Sequence, residues 1–206
     1  MAPIGPRSHT YEVNAMLRVS SQSKKEIKDF FTETYNVKRN RINSDFHLTV
    51  NHARRNIPGL REGIRSVMIT ANISETRFMV LVPGGENPRE GIDPRAHSVG
   101  IRLTRRNTAI PEIQDLRGQI LQLEARVFLG RRNPTTAWTN SFGSRHYQPH
   151  IQLLRPWHKI SDSLSEIGQL FRKRIGAIAF DSFQIEARHR VDGKWVAGRQ
   201  RSLMDR

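Results

Sequence analysis

The chain has 206 residues, which is long enough for one domain, or for two closely packed lobes, around a hydrophobic core. It contains no cysteine, so disulfides and thiolate metal sites are excluded, and no apolar run is long enough to cross a bilayer. Its formal net charge is +15 and 27 of its 34 basic residues are arginines, which favours a polyanionic partner, although a GC-rich gene would enrich arginine equally well.

The first nine residues are rich in proline and glycine and lack the apolar segment of a signal peptide, so we expect a flexible tail on a soluble, cytoplasmic protein. Apolar and polar residues alternate from Thr10 to Val19, which predicts a strand. Ser23 followed by Glu26 predicts a capping box at the start of a helix. The buried face of this helix is predicted to contain Ile27, Phe30, Phe31 and Tyr35.

A second strand is predicted around residues 45–50, followed by a basic loop at 51–63 that contains His52. Residues 66–73 and 76–82 then predict two strands joined near Ser74 as a hairpin. Residues 83–94 are dense in proline and glycine and predict a loop. A short strand is expected at 98–103.

The clearest helix signal begins at Pro111 and ends at Gly130, with apolar residues at spacings of three and four. A polar loop at 131–147 leads into a strand near His150. A helix around 164–171, capped by Ser161 or Ser163, and a long strand at 178–187 follow. A turn at 192–193 and a short strand precede a basic tail at 198–206. Residues 10–197 are therefore expected to form a single domain.

Two of these strands carry a histidine followed two positions later by a hydrogen-bonding side chain. His47 and Thr49 alternate with Leu48 and Val50, and His150 and Gln152 alternate with Ile151 and Leu153. Side chains two residues apart on a strand share a face, so each pair is expected to point outward while the apolar residues enter the core. Two such strands could supply a general acid and a general base.

The paired motifs resemble those of the two-histidine (2H) phosphoesterase superfamily, which includes RNA 2',5'-ligase-like enzymes and cyclic phosphodiesterases. The resemblance covers most of residues 10–197, and each half reads as a strand, a helix and a histidine strand. It implies an α+β fold of two pseudo-symmetric lobes of antiparallel sheet, with helices outside and a central cleft. Gln152 departs from the family pattern, which has Thr or Ser at that position.

The catalytic candidates are His47, Thr49, His150 and Gln152, and the candidate substrate-binding residues are Arg145, Tyr147, Arg155 and Trp157. The arginines could bind phosphate and the aromatic residues could stack on a base, but Arg155 could equally solvate a strand end, and core packing is the favoured interpretation of Trp157. Four more histidines are predicted to be surface residues or hydrogen-bonded structural residues, namely His52, His146, His158 and His189.

Other chemistries fit the sequence less well. His146 and His150 stand four apart, but Pro149 argues against the helix that would bring them together on a metal, and there is no phosphate-binding loop of the NTPase type. The sequence therefore predicts a phosphodiesterase without metal or other cofactor, acting as a monomer on 2',3'-cyclic phosphates or 2',5'-linked oligonucleotides, cyclic ones included. The alternative is a non-catalytic RNA-binding or nucleotide-binding protein on the same scaffold.

Overall fold

A computed structural model of the chain describes residues 11–53, 60–74, 76–81, 94–105, 108–109, 111–128, 149–191 and 194–197. The predictions for both tails, for residues 83–93, for the polar loop at 131–147 and for the turn at 192–193 lie outside these ranges.

The described residues form an α+β fold, as predicted, with an antiparallel sheet and three α-helices. The strands are β1 (Tyr11–Val19), β2 (His47–Ala53), β3 (Gly63–Asn72), β4 (Arg77–Leu81), β5 (Ser98–Arg102), β6 (Thr104–Arg105), β7 (Thr108–Ala109), β8 (His150–Leu154), β9 (Ala177–Val191) and β10 (Lys194–Ala197). The helices are α1 (Ser21–Tyr35), α2 (Pro111–Phe128) and α3 (Leu164–Ile175). Short 3-10 turns span Arg39–Arg41 and Pro94–Ala96.

Eight strands belong to one sheet with the order β10-β9-β1-β2-β8-β5-β4, and β3 pairs separately with β9. β6 and β7 form a small ladder of their own. In each half of the chain a strand is followed by a helix and then by a histidine strand that pairs antiparallel with the first, as β1, α1, β2 and as β5, α2, β8. The histidine strands β2 and β8 are neighbours at the centre, so the two halves meet there within one sheet.

One face of this sheet is apolar and packs into the core with the helices. Leu17, Leu48, Ile101 and Ile151 lie on adjacent strands β1, β2, β5 and β8, and all four are fully buried. As the alternation in sequence predicted, the opposite face carries half-buried polar side chains beside them, namely Arg18, His47, Thr49, Arg102, His150 and Gln152. The core therefore lies under one face of the sheet and leaves the other face for polar side chains.

Aromatic residues pack α1 against α3 on the core face of the sheet. Phe171 of α3 packs edge-on against Phe30 of α1, with ring centroids 5.1 Å apart, and against Phe78 of β4 at 5.2 Å. Phe31 also contacts Phe171. The helices thus link β4, in one half of the sheet, to the half that contains β1 and β2.

The structure confirms one predicted helix cap and corrects another. Ser163 accepts from the backbone N–H of Glu166, whose carboxylate accepts from the Ser163 N–H, and this capping box begins α3. At α1 the cap is Ser20, because its hydroxyl accepts from the Ser23 N–H at 3.2 Å. Ser23 is instead buried in the first turn, where its hydroxyl accepts from the Ala179 N–H of β9. The predicted capping box at Ser23 is therefore wrong.

Two further predictions about strands are wrong. β3 and β4 do not form a hairpin, since β3 pairs with β9 and β4 pairs with β5. His52 lies on β2 and not in a loop, because this strand runs on to Ala53 and pairs with β1 there. Both errors arise because strand pairing decides where a strand ends and which strand it joins, and local alternation does not specify that pairing.

Candidate functional site

The pairing of β2 with β8 brings the two histidine motifs together. Leu48 lies opposite Ile151 in an antiparallel register. Extending this register by one residue in each direction, we infer that His47 lies opposite Gln152 and that Thr49 lies opposite His150. All four side chains are half-buried, whereas Leu48 and Ile151 are fully buried on the other face. The four predicted catalytic residues therefore share one polar patch of the sheet, here called the histidine face.

His47 and His150 occupy diagonal positions in this patch. Residues on a diagonal of two antiparallel strands are separated by about 7–8 Å between their Cα atoms, within reach of long side chains. The arrangement suits a pair of groups that act on the same atom from two sides.

Arginines flank the histidine face on both neighbouring strands. Arg18 of β1 lies opposite His47, and Arg102 of β5 lies opposite His150. Both arginines are half-buried. Residues directly opposite in a ladder point to the same face, so a positive charge stands beside each histidine. Neither arginine was predicted as a site residue, because only the pairing of distant strands brings them there.

Asp45 orients the first histidine. His47 Nδ1 lies 3.2 Å from the backbone oxygen of Asp45 and 3.3 Å from the Asp45 carboxylate. A backbone oxygen can only accept a hydrogen bond, so this contact assigns the hydrogen to Nδ1. Nε2 is then the nitrogen that exchanges a proton with a ligand. Phe46, which is fully buried, anchors the chain between the two residues.

Arg18 in turn holds Asp45. Its guanidinium donates to the Asp45 carboxylate and to the side-chain oxygen of Gln184 on β9, the latter at 2.7 Å. Partial burial on its own raises the pKa of Asp45, but the hydrogen bond and charge of Arg18, with the charges of His47 and Lys24, outweigh burial and keep this pKa below its ordinary value. Asp45 is therefore ionised at neutral pH.

Gln152 is tied to the neighbouring strand on its other side. Its amide nitrogen donates to the hydroxyl of Ser98 on β5 at 3.0 Å. Its backbone oxygen accepts from the side-chain amide of Asn43 at 3.1 Å, and the Asn43 N–H donates to the Leu153 oxygen at 2.8 Å. The two bonds from Asn43 hold the segment just before β2 against β8.

The predicted substrate-binding residues differ in their placement. Arg155 is exposed just after β8, and its guanidinium donates to the Ser44 hydroxyl at 3.2 Å, which places it near the start of the first motif. Trp157 is 69% exposed, so the expectation that it packs into the core is wrong. Its backbone adopts a φ of 66°, and its N–H donates to the Arg95 oxygen. Arg145 and Tyr147 lie outside the described residues.

Two of the remaining histidines have structural partners, as predicted. His52 Nε2 lies 3.0 Å from the Glu12 carboxylate on β1. His158 is buried, and its Nδ1 accepts from the Ile160 N–H. His146 lies outside the described residues, and only the backbone of His189 is described, where it pairs with β1 and β10.

The described part of the chain contains neither a metal-binding cluster nor a helix that could span a membrane. No three His, Asp or Glu side chains in those ranges are grouped so as to hold a metal ion. None of the helices described is both long enough and apolar enough to cross a membrane.

The fold is similar to several solved structures, while no protein-family profile and no curated protein matches the sequence. The apo form of Escherichia coli LigT is 13% identical, with a TM-score of 0.40 over 93% of this chain and 95% of that one. A structure described as a phosphoesterase is 12% identical, with a TM-score of 0.41 over 91% and 94%. LigT complexed with 3'-AMP is 10% identical, with a TM-score of 0.40 over 93% and 95%. At these identities and TM-scores, the chemistry of the site can be inferred only from its own residues.

Proposed function

We propose that this protein is a metal-independent phosphodiesterase that acts on 2',3'-cyclic phosphates or 2',5'-linked oligonucleotides, including cyclic ones. The observation that carries the proposal is the diagonal placement of His47 and His150 on the half-buried histidine face. A phosphodiester seated between the two imidazoles would meet a proton acceptor on one side and a proton donor on the other. The resemblance of the two motifs to 2H phosphoesterases supports the same substrate class.

In the proposed hydrolysis of a 2',3'-cyclic phosphate, one histidine removes a proton from water as the water oxygen attacks phosphorus. The bond from phosphorus to one ribose oxygen breaks, and the other histidine protonates that oxygen. For a 2',5' linkage the neighbouring 3' hydroxyl takes the place of water and the 5' oxygen leaves. The two imidazoles, the substrate and solvent account for every proton moved and every bond made or broken in both steps.

His47 is the better candidate for the base. Its Nδ1 donates to Asp45, so Nε2 presents a lone pair in the neutral imidazole. When Nε2 takes a proton, the ionised Asp45 carboxylate at 3.3 Å from Nδ1 stabilises the imidazolium that forms. His150 would then be the acid that protonates the leaving oxygen, and the roles would exchange in the reverse reaction.

The negative charge on the phosphoryl oxygens needs fixed donors around the histidines. Thr49 stands opposite His150 and offers a hydroxyl, while Arg18 and Arg102 place a guanidinium beside each histidine. Arg18 is held in place by Asp45 and Gln184 and needs little reorganisation to act on an anion. Arg155, at the end of β8, could bind a second phosphate of an oligonucleotide.

A non-catalytic nucleotide-binding or RNA-binding protein is the second candidate. It is favoured by Gln152, which replaces the Thr or Ser of the family pattern and whose amide is engaged with Ser98. The net charge of +15 would serve either function, because it attracts any polyanion.

A turnover assay with and without a chelator separates the two candidates. The protein is incubated in excess EDTA with a nucleoside 2',3'-cyclic phosphate and, separately, with a 2',5'-linked dinucleotide. Turnover of either substrate that EDTA leaves unchanged is the expected result. Salt-sensitive binding of RNA with no turnover would support the binding protein instead, and turnover abolished by EDTA and restored by a divalent cation would contradict the metal-independent mechanism.

A further inference from the structure

We propose that Ser98 supplies the phosphoryl-binding hydroxyl that the second histidine motif lacks, and that Gln152 positions it. The inference rests on the proposed function, because it concerns a phosphate held at the histidine face. Ser98 is distant in sequence from both motifs and lies on β5, the strand beside β8. Its hydroxyl accepts from the Gln152 amide at 3.0 Å, so both side chains lie on the same face of the sheet.

Gly100 makes this contact possible. It lies opposite Gln152 in the ladder between β5 and β8 and is buried. A Cβ at this position would lie 2.7 Å from the Ile151 backbone oxygen, so a side chain here would force the strands apart. Because Gly100 has no side chain, the long side chain of Gln152 can extend over it and reach the Ser98 hydroxyl.

The ladder is also irregular at this point. Gly100 pairs with Gln152 but Val99 pairs with Leu154, so β8 contains one extra residue there. Leu153 and Leu154 are consecutive and both fully buried, which is the pattern of a bulge. Bulges re-aim the side chains beside them, and this one lies between Gln152 and the end of β8.

The direction of the hydrogen bond leaves Ser98 able to act as a donor. A serine hydroxyl has one hydrogen and two lone pairs, and the Gln152 N–H occupies one lone pair. No residue in the described ranges accepts the Ser98 hydrogen, and a phosphoryl oxygen is an acceptor of the required kind. If the amide oxygen faced Ser98 instead, the serine would donate to Gln152 and could not donate to a ligand.

The resulting site would be nearly symmetric. His150 lies opposite a hydroxyl residue, Thr49, and His47 lies opposite Gln152, which holds the hydroxyl of Ser98. Thr49 would supply a hydroxyl from the strand next to that of His150, and Ser98 would supply one from two strands away from His47. A glutamine at position 152 would thus displace the second hydroxyl to the next strand without removing it from the site.

The test uses single and paired substitutions. Ser98→Ala is expected to lower kcat by about 10²-fold, the scale for losing one transition-state donor, and to weaken the binding of adenosine 3'-monophosphate. Ser98→Thr, which keeps the hydroxyl, is expected to retain most of the rate. Gln152→Glu is expected to lose it, because a carboxylate can only accept and would take the Ser98 hydrogen. Gln152→Thr in the Ser98→Ala background is expected to restore part of the rate by supplying a hydroxyl directly.

Ser165→Ala is the matched control, since Ser165 is exposed in the first turn of α3 away from the histidine face, and it should change neither kcat nor binding. Thermal unfolding of every variant shows whether a loss comes from misfolding. If wild type and Ser98→Ala turn over the substrates equally, the role of Ser98 is overturned while the proposed function stands. If wild type binds adenosine 3'-monophosphate through Ser98 without turnover, the proposed catalysis fails and the role of Ser98 in binding stands. If wild type shows neither binding nor turnover, both proposals fail.

Discussion

Asp45 connects the first histidine to an arginine on the neighbouring strand. Its pKa lies below the ordinary value of 3.8, because Arg18 and His47 outweigh the effect of burial. A carboxylate with a lowered pKa stabilises the fold at every pH above its unfolded-state pKa, and this contribution is lost as the pH falls through the lower folded-state pKa. The carboxylate is more than half exposed, so solvent screening keeps the contribution small.

We therefore predict that Asp45→Asn lowers the free energy of unfolding near pH 6 and that its difference from wild type shrinks as the pH falls below about 4. Urea unfolding at a series of pH values measures this difference. Asp181→Asn is the control, since the Asp181 carboxylate accepts from Ser182 but contacts no arginine in the described structure. A difference that stays constant from pH 6 to the acid limit would show that the pairing of Asp45 with Arg18 contributes nothing.

At the residue level the sequence predicted which side chains point outward but not which of them meet. The alternation around His47 and His150 indicated that Leu48 and Ile151 enter the core, and both are fully buried. Arg18 and Arg102 also stood at outward positions in their predicted strands. Nothing local to those strands specifies that they lie beside the histidine strands, because strand pairing joins residues far apart in sequence.

Strand β5 approaches β8 so closely that only a glycine fits at position 100. We predict that Gly100→Ala destabilises the fold by about 1–3 kcal/mol, the cost of overpacking, since its Cβ would meet the Ile151 backbone oxygen. Gly118→Ala in α2 is the matched control, because nothing lies within 4 Å of a Cβ there, and alanine in a helix interior is more favourable by about 0.5–1 kcal/mol.

Urea unfolding of both variants checks this prediction. Gly100→Ala should also weaken the binding of adenosine 3'-monophosphate, because a displaced β5 carries Ser98 and Arg102 away from the histidine face. Two variants of equal stability would indicate that β5 relaxes freely away from β8.

At the level of elements, the sequence predicted helices better than strand partners. The start of a helix is marked by residues only a few positions apart, so Pro111 predicted the start of α2, and of the two predicted caps for α3, Ser161 and Ser163, the structure shows Ser163. The predicted hairpin of β3 and β4 is wrong because β3 pairs with β9, which lies more than 100 residues further along the chain. The cap of α1 is Ser20 and not Ser23, because Ser23 faces β9, where its hydroxyl accepts from the N–H of the half-buried Ala179.

Over the whole molecule, Phe171 joins the two halves of the sheet through the helices. Its ring contacts Phe78 of β4 and both Phe30 and Phe31 of α1, and it is fully buried. We predict that Phe171→Ala lowers the free energy of unfolding by about 3–5 kcal/mol and that the protein still unfolds in one transition. Circular dichroism during urea unfolding measures both.

Leu170→Ala is the control for Phe171, because Leu170 is the neighbouring residue of α3 and is exposed. It should change stability far less. Two separate unfolding transitions in Phe171→Ala, or in wild type, would show that the halves fold independently and that the aromatic cluster does not couple them.

Turnover by the two histidine variants tests the central claim most directly. His47→Ala and His150→Ala are each expected to lower kcat on a 2',3'-cyclic phosphate in excess EDTA by about 10²-fold or more. The double variant should lose little beyond either single one, because an acid and a base that act on one phosphodiester work as a unit. His52→Ala, on the same strand as His47 but paired with Glu12, should keep the wild-type rate. Full activity in either His47→Ala or His150→Ala would contradict the account of a two-histidine phosphodiesterase.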